Sequence, residues 1–491
     1  MNTLKKIFGT FLLISILYSC SDWLDINQNP DTPTEEVVSE SVLLPGIIST
    51  VSYELSGGFP ARYANAWVGQ FSLNGPAPDV QTFRILDTDV NNTWEYTLYT
   101  NVLKNSKLLI TKAEKNGNKY YSGVGKVMTA YSLAIATDLW GSIPWSEALN
   151  PEEFPKPKFD TQDKVYEAIF GLLDEAITSF DYTGQQATKP GSDDLLFGGD
   201  ISAWKKFAYS LKARYNMRLS YAKAGATQAD LVLAALDKGF ASNSDDADFA
   251  YFDKTGAENP WYQWYSKYNT LYLDTTTYLI LKKYNDPRLD VFADTTYAEG
   301  VSGEFIPHRN GFLSETPGET SKLAIERTTY DDGEDKQPYF ITKSTSVPFI
   351  TYAENCFLKA EAYLWKNDFV KAAQFMKEGT KASLSKLQVN NEPALSESVI
   401  NSYVDALPSL PSNFEEAQKM IIELKYIGNF LSVENYNDYR RTHYPIVILP
   451  IDAEYTHVPY RMPYATSPKL YNKDNVPSVA IDKDKVWWDK K

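Results

Sequence analysis

Apolar residues return along this chain at intervals of three and four. Val165, Ile169, Leu172, Ala176 and Phe180 form one such series, and that spacing gathers them on one face of an α-helix. Val124, Val127, Tyr131 and Ile135 form another, and Ile350, Ala353, Phe357, Ala360 and Leu364 a third. The same reading predicts further helices near 98–115, 202–223, 228–238, 271–284, 368–387 and 413–431. Between them run stretches rich in Gly, Pro and Asn, at 56–95, 141–160, 183–200, 240–262, 285–347 and 445–480. The last contains Pro445, Pro450, Pro459, Pro463, Pro468 and Pro477. Prolines this dense exclude regular helix, while Val447-Ile448-Leu449 reads as a short strand. Nothing marks a domain boundary. The expectation is a single large, mostly α domain over 41–491, with long irregular loops wrapped on a helical scaffold.

The first residues carry a different pattern. Lys5 and Lys6 precede an apolar region of 11 residues, Ile7 to Leu17. A bilayer core about 30 Å thick needs about 20 apolar residues, so this run reads as a secretory leader over 1–19. It closes on Leu17-Tyr18-Ser19-Cys20, which resembles a bacterial lipobox apart from Tyr18. Cys20 would then be the lipidated residue, its thiolate taking the diacylglycerol. Residues 20–40, polar, acidic and carrying Pro30 and Pro33, read as a tether between lipid and globule. Cys356 is the other cysteine; with Cys20 lipidated it has no partner, and no disulfide is expected.

Charge narrows the function. The 491 residues hold 48 Lys and Arg against 63 Asp and Glu, a net charge of −15. Removal of the leader takes Lys5 and Lys6 and leaves −17. No basic stripe is present to displace counterions from a phosphate backbone, so no nucleic acid is expected as a partner. Three histidines and two cysteines are poor material for a transition-metal site. Asp245-Asp246-Ala247-Asp248 and Asp331-Asp332-Gly333-Glu334-Asp335 lack the glycine and terminal glutamate of a calcium loop at the needed spacing and read as solvated turns. No HExxH, Ser/His/Asp order or phosphate-binding loop occurs, so the chain reads as a non-enzyme without metal or cofactor.

Four segments carry a resemblance to a known family. Asp138-Leu139-Trp140-Gly141-Ser142-Ile143-Pro144-Trp145 closes a helix and turns on Gly141 and Pro144. Ile422-Glu423-Leu424-Lys425-Tyr426-Ile427 is followed by Asp438-Tyr439-Arg440-Arg441-Thr442. Arg461-Met462-Pro463-Tyr464 is the third, and Lys485-Val486-Trp487-Trp488-Asp489 the fourth. In order and spacing they resemble the SusD/RagB family of Bacteroidetes outer-membrane lipoproteins, in its SusD-like type 2 branch. The pair of helices around 350–365 and 369–386, with Ala360, Ala362, Ala372 and Ala373 beside Tyr363 and Phe369, resembles one tetratricopeptide unit. The resemblance implies a tetratricopeptide-like helical scaffold and a lipid-anchored lid on the cell exterior. It also implies a partner, a TonB-dependent transporter of the SusC type, and a cargo of nutrient oligosaccharide or, in some members, peptide.

Ligand contacts are sought among aromatics, because sugar rings stack their C–H faces on flat, rigid side chains. The chain holds 11 Trp, 34 Tyr and 24 Phe. Tryptophans in the motifs and helical series read as scaffold. Those near loops remain: Trp67, Trp94, Trp261 and Trp264. The densest cluster is Trp261-Tyr262-Gln263-Trp264-Tyr265, so Trp261, Tyr262, Trp264 and Tyr265 join Trp67 and Trp94 as candidate contacts. Each also has a packing alternative: a helix-entry segment around Trp261, and a buried helix at Trp67.

Overall fold

The computed structural model describes residues 38–75, 79–268, 271–326 and 339–491. The leader, Cys20, most of the tether and the acidic turn at 331–335 lie outside the described residues. The first helix among the described residues, α1 (Glu40–Thr50), runs through a π-helical turn at Val51–Ser56 towards α2 (Phe59–Trp67) and strand β1 (Phe71–Leu73). A π-helical run at Thr93–Leu103 leads into α3 (Lys104–Asn116), α4 (Lys119–Trp140), α5 (Gln162–Phe180), α6 (Ile201–Arg218) and α7 (Gly225–Leu236). An irregular half follows, holding β2 (Asp248–Phe249), α8 (Pro260–Tyr268), β3 (Leu271–Leu273), α9 (Thr275–Tyr284), α10 (Leu289–Phe292) and β4 (Val347–Pro348). The chain then returns to helices: α11 (Tyr352–Trp365), α12 (Phe369–Lys386), α13 (Glu397–Ala406), α14 (Phe414–Gly428), α15 (Glu434–Thr442) and α16 (Thr466–Tyr471).

Helices pack as pairs: α4 on α5, α11 on α12, α3 on α4 and α6 on α7. Small residues set the spacing. A Cβ on Gly379 of α12 would sit 3.0 Å from the Phe357 ring of α11, and one on Gly123 of α4 only 2.5 Å from Phe180 of α5. Ala353, Ala360 and Ala372 are fully buried in the first of these seams, the role expected of alanine in a tetratricopeptide-like pair. Caps define the ends. Asp200 accepts from the backbone N–H of Ser202 and Ala203 to open α6, Asp368 from Lys371 to open α12, and Asn413 from Glu415 and Glu416 to open α14. Each satisfies donors that a helix leaves orphaned, for about 1 kcal/mol. α4 stops at Gly141, whose φ of +76° a side chain rarely adopts.

Two expectations change. The helix expected over 271–284 begins only at Thr275. Leu271–Leu273 pairs antiparallel with β1, Phe71 opposite Leu273, and Asp274 caps the helix by accepting from Thr276 N–H at 2.7 Å. The strand expected at Val447-Ile448-Leu449 is absent. Its backbone is held by side chains instead: Ile448 N–H donates to Thr276 Oγ1 at 3.0 Å, and the Leu449 carbonyl accepts from Arg309 Nε at 2.6 Å.

The four sequence motifs converge on a buried polar node. Arg218 of α6 lies between the carboxylates of Asp138 and Glu434. Asp138 also accepts from the Tyr166 hydroxyl at 2.6 Å and the Trp488 indole at 2.7 Å. Arg440 donates to the Asp138 carbonyl at 2.7 Å; Trp140 Nε1 donates to the Pro463 carbonyl at 2.8 Å. Beside it, Arg441 bridges Glu361 and Asp438, each at 2.7 Å, and Lys425 meets Asp438 at 2.8 Å. Arg214 holds Glu354 at 2.6 Å. The cations Arg214, Arg218, Lys425, Arg440 and Arg441 thus face the anions Asp138, Glu354, Glu361, Glu434 and Asp438, all nearly inaccessible. Equal numbers of each sign make burial tolerable. Burial pushes the Asp438 carboxyl up, but Lys425 and Arg441 outweigh it and hold it below the usual carboxylate range.

Candidate functional site

α8 opens on Asn259, whose side chain accepts from the N–H of Trp261 and Tyr262 and whose amide donates to the Thr345 carbonyl at 2.7 Å. This clamp fixes the aromatic-rich helix against the loop before β4. The helix then distributes its aromatics by its own periodicity. Trp264 is partly exposed, while Trp261, Tyr262 and Tyr265 are buried.

Trp264 belongs to an aromatic surface that the sequence alone does not assemble. Tyr63 of α2 lies 6.4 Å from it, and Phe59 lies 4.6 Å from Tyr63. The Arg62 guanidinium sits over the Trp264 ring at 4.9 Å and is fixed by donating to the carbonyls of Gly57 and Pro260, each at 3.1 Å. Behind, Phe71 and Trp261 pack on Trp264 at 5.8 and 6.1 Å. Phe59, Arg62, Tyr63 and Trp264 remain partly accessible. A rigid aromatic surface flanked by an immobilised donor can stack on an apolar ring face and hydrogen-bond its hydroxyls. Phe59 and Tyr63, four apart on α2, were the available signal; their meeting with Trp264 is a long-range contact that spacing does not reveal.

Trp67 and Trp94 stand apart from this surface. Trp67 is inaccessible, donates from its indole to the Val80 carbonyl at 2.8 Å, and meets Phe83 and Tyr436 edge-on. Trp94 is packed against Trp140 at 5.2 Å, Phe159 at 6.1 Å and Tyr464 at 5.9 Å. Both indoles are buried among these neighbours. Tyr265 is buried in the core, and Tyr262 is buried with the Lys343 ammonium 5.8 Å over its ring.

Trp261 faces a second feature, a cleft of about 370 Å³ between α12, α14 and the irregular half. One side is aromatic: Phe292 stacks on Phe430 at 4.4 Å and meets Phe340 at 5.0 Å. The other side is polar. Lys386 bridges Asp246 and Asp248, each at 2.7 Å. Arg288 donates to both oxygens of Asp286, at 2.9 and 2.5 Å, and to Ser383 Oγ at 2.9 Å. Burial pushes Asp246 up to about 6, Lys386 opposing it. Burial would raise Asp286 too, but Arg288 outweighs it and holds that carboxyl low. The acidic stretch Asp245-Asp246-Ala247-Asp248 is thus an ion-pair cluster, with Asp245 on Lys206 at 2.7 Å. Among the described residues no group of His, Cys, Asp and Glu is arranged to hold a metal.

The SusD-like family described as starch-binding and associating with the outer membrane matches residues 32–465, and the chain belongs to that family. Solved structures share the fold. A SusD/RagB family protein of Bacteroides thetaiotaomicron is 24% identical with a TM-score of 0.74, covering 92% of this chain and 99% of its own. A chitin-binding protein is 23% identical with a TM-score of 0.76, covering 92% and 100%. A SusD homologue of Bacteroides fragilis is 21% identical with a TM-score of 0.73, again covering 92% and 100%. Among curated proteins no sequence matches. No helix among the described residues is long and apolar enough to cross a membrane.

Proposed function

We propose that the protein is a non-catalytic lipoprotein of the outer membrane that captures a nutrient glycan and passes it to a SusC-type TonB-dependent transporter. The observation that carries this reading is the partly accessible aromatic surface of Trp264, Tyr63 and Phe59 with Arg62 fixed over the indole. Stacking there is sequence-tolerant and suits repeated sugar rings. Trp264→Ala removes the central ring from a partly exposed position and is expected to weaken retention on the cognate polysaccharide at least about tenfold, the scale of losing an aromatic anchor. Affinity electrophoresis through gels cast with a panel of polysaccharides measures it. Retention unchanged by the substitution excludes this surface; binding to a peptide array with silence on every glycan replaces the cargo and leaves the family standing.

Anchoring through Cys20 is part of the same reading. Cys20→Ala is expected to move the protein from the membrane to the soluble fraction, since an acyl anchor contributes about 0.8 kcal/mol per buried methylene. Metabolic labelling with a fatty acid and fractionation test it; label retained by the variant overturns the assignment.

A further inference from the structure

We infer that the cleft beside Trp261 is a second, separate binding site, and that it takes a small uncharged carbohydrate of one or two sugar units. The inference rests on the glycan reading above for its ligand class and on the cleft's own chemistry for the rest.

Size comes first. A cavity of about 370 Å³ falls in the range of small-ligand pockets, too small for a folded partner and ample for one or two rings. Its surface is divided as a sugar is divided. The ring faces of a pyranose are apolar and meet Trp261, Phe292, Phe340 and Phe430 on one wall. Its rim of hydroxyls meets Asp248, Lys386, Ser383 and Thr345 on the other. Carboxylate and ammonium together can accept from and donate to neighbouring hydroxyls, the mixed pattern a polyol needs.

Charge then selects among small ligands. Each ionic group of the wall already has its counter-charge within the protein. Lys386 is shared by Asp246 and Asp248, and Arg288 is chelated by Asp286. An anionic ligand finds no cation to itself. It also meets the C-terminal ends of two helices, α12 at Lys386 and α14 at Gly428, where the helix dipole is negative. A cationic ligand would have to compete with Lys386 for the same carboxylates. A neutral polyol alone gains contacts without breaking a pair.

The cleft and the outer surface are distinguishable by substitution. Gln388 is exposed at the cleft and Ser346 is partly exposed there, so an indole at either position fills the space without entering the core. The full-length protein is titrated with glucose, N-acetylglucosamine, maltose and cellobiose, and with glucuronate and glucosamine as charged counterparts. Saturation-transfer NMR reports binding, and circular dichroism confirms the fold of each variant. At least one neutral sugar is expected to bind, weakened about tenfold or more by Gln388→Trp and by Ser346→Trp, and unchanged in Lys164→Met, a solvent-exposed position outside the cleft's lining. Should one cleft variant fail to fold, the other reads the result. No binding by any neutral sugar overturns the inference. So does binding that survives the cleft variants, or glucuronate or glucosamine bound as tightly as the neutral sugar. Polysaccharide retention is scored separately: retention without small-sugar binding leaves the capture function standing and removes the cleft, while small-sugar binding without retention does the reverse.

Discussion

Arg218→Met is expected to destabilise the fold by about 3–5 kcal/mol, the scale of breaking a buried ion pair on one side. The substitution keeps most of the side-chain volume but strands Asp138 and Glu434, the two carboxylates Arg218 joins. Both are almost wholly inaccessible, so water cannot replace the lost partner. The indole of Trp488, 5.2 Å from the guanidinium, loses one of its two cations, Arg440 remaining at 4.8 Å. Denaturant unfolding monitored by tryptophan fluorescence measures the change. An exposed pair supplies the contrast: Lys164 and Glu167 are largely solvent-accessible, and Lys164→Met is expected to change stability by less than about 1 kcal/mol. Equal effects from both substitutions would refute the assignment of the node as the keystone of the scaffold.

Asp274→Asn is expected to act in the opposite direction, and only above acidic pH. Asp274 is buried and caps α9 through Thr276; burial pushes its carboxyl up to about 7, with the Thr276 N–H opposing. A carboxylic acid whose pKa is higher in the folded than the unfolded chain binds its proton more tightly when folded. Its favourable contribution is complete below the unfolded value near 3.8 and is lost as pH rises through the folded value near 7. The wild-type chain therefore holds a buried charge at pH 8 that asparagine does not carry, while asparagine still accepts the capping hydrogen bond. The variant is expected to be more stable at pH 8 by about 2–4 kcal/mol, a tenfold change in proton affinity being worth about 1.4 kcal/mol, and to match the wild type near pH 4. Melting curves at the two pH values decide it. A variant less stable at pH 8 would mean that the carboxylate stabilises the fold through its charge.

Helix positions were readable because burial on one face writes itself into local spacing. Val165, Ile169, Ala176 and Phe180 are buried as their intervals require, and Leu172 is partly buried beside them. The turn at Gly141 was readable because only glycine suits that backbone. Elements settled by distant partners were not: Leu271–Leu273 follows the apolar pattern of the helix after it, and becomes a strand because Phe71–Leu73 lies alongside. The ligand surface divides the same way. Composition and clustering led to Trp264, but could not tell it from Trp67 and Trp94, since exposure is decided by what packs on each indole. The phenylalanines of the cleft come from α10, from the loop before β4 and from the turn after α14, too far apart in the chain to suggest one another.

The polar node also bears on the order in which the chain acquires its structure. Asp138 and Trp488 are 350 positions apart, and Asp138 and Arg440 are 302 apart. Contacts so remote slow folding, because the intervening chain must be ordered before they form. Synthesis from the N-terminus presents Asp138, Arg214 and Arg218 long before Glu434, Arg440 and Trp488 arrive. Until then Arg218 can meet Asp138 but not Glu434, and Arg214 lacks Glu434 as well. The node therefore closes only when both ends of the scaffold are present, which ties the last residues of the chain to the completion of its first helices.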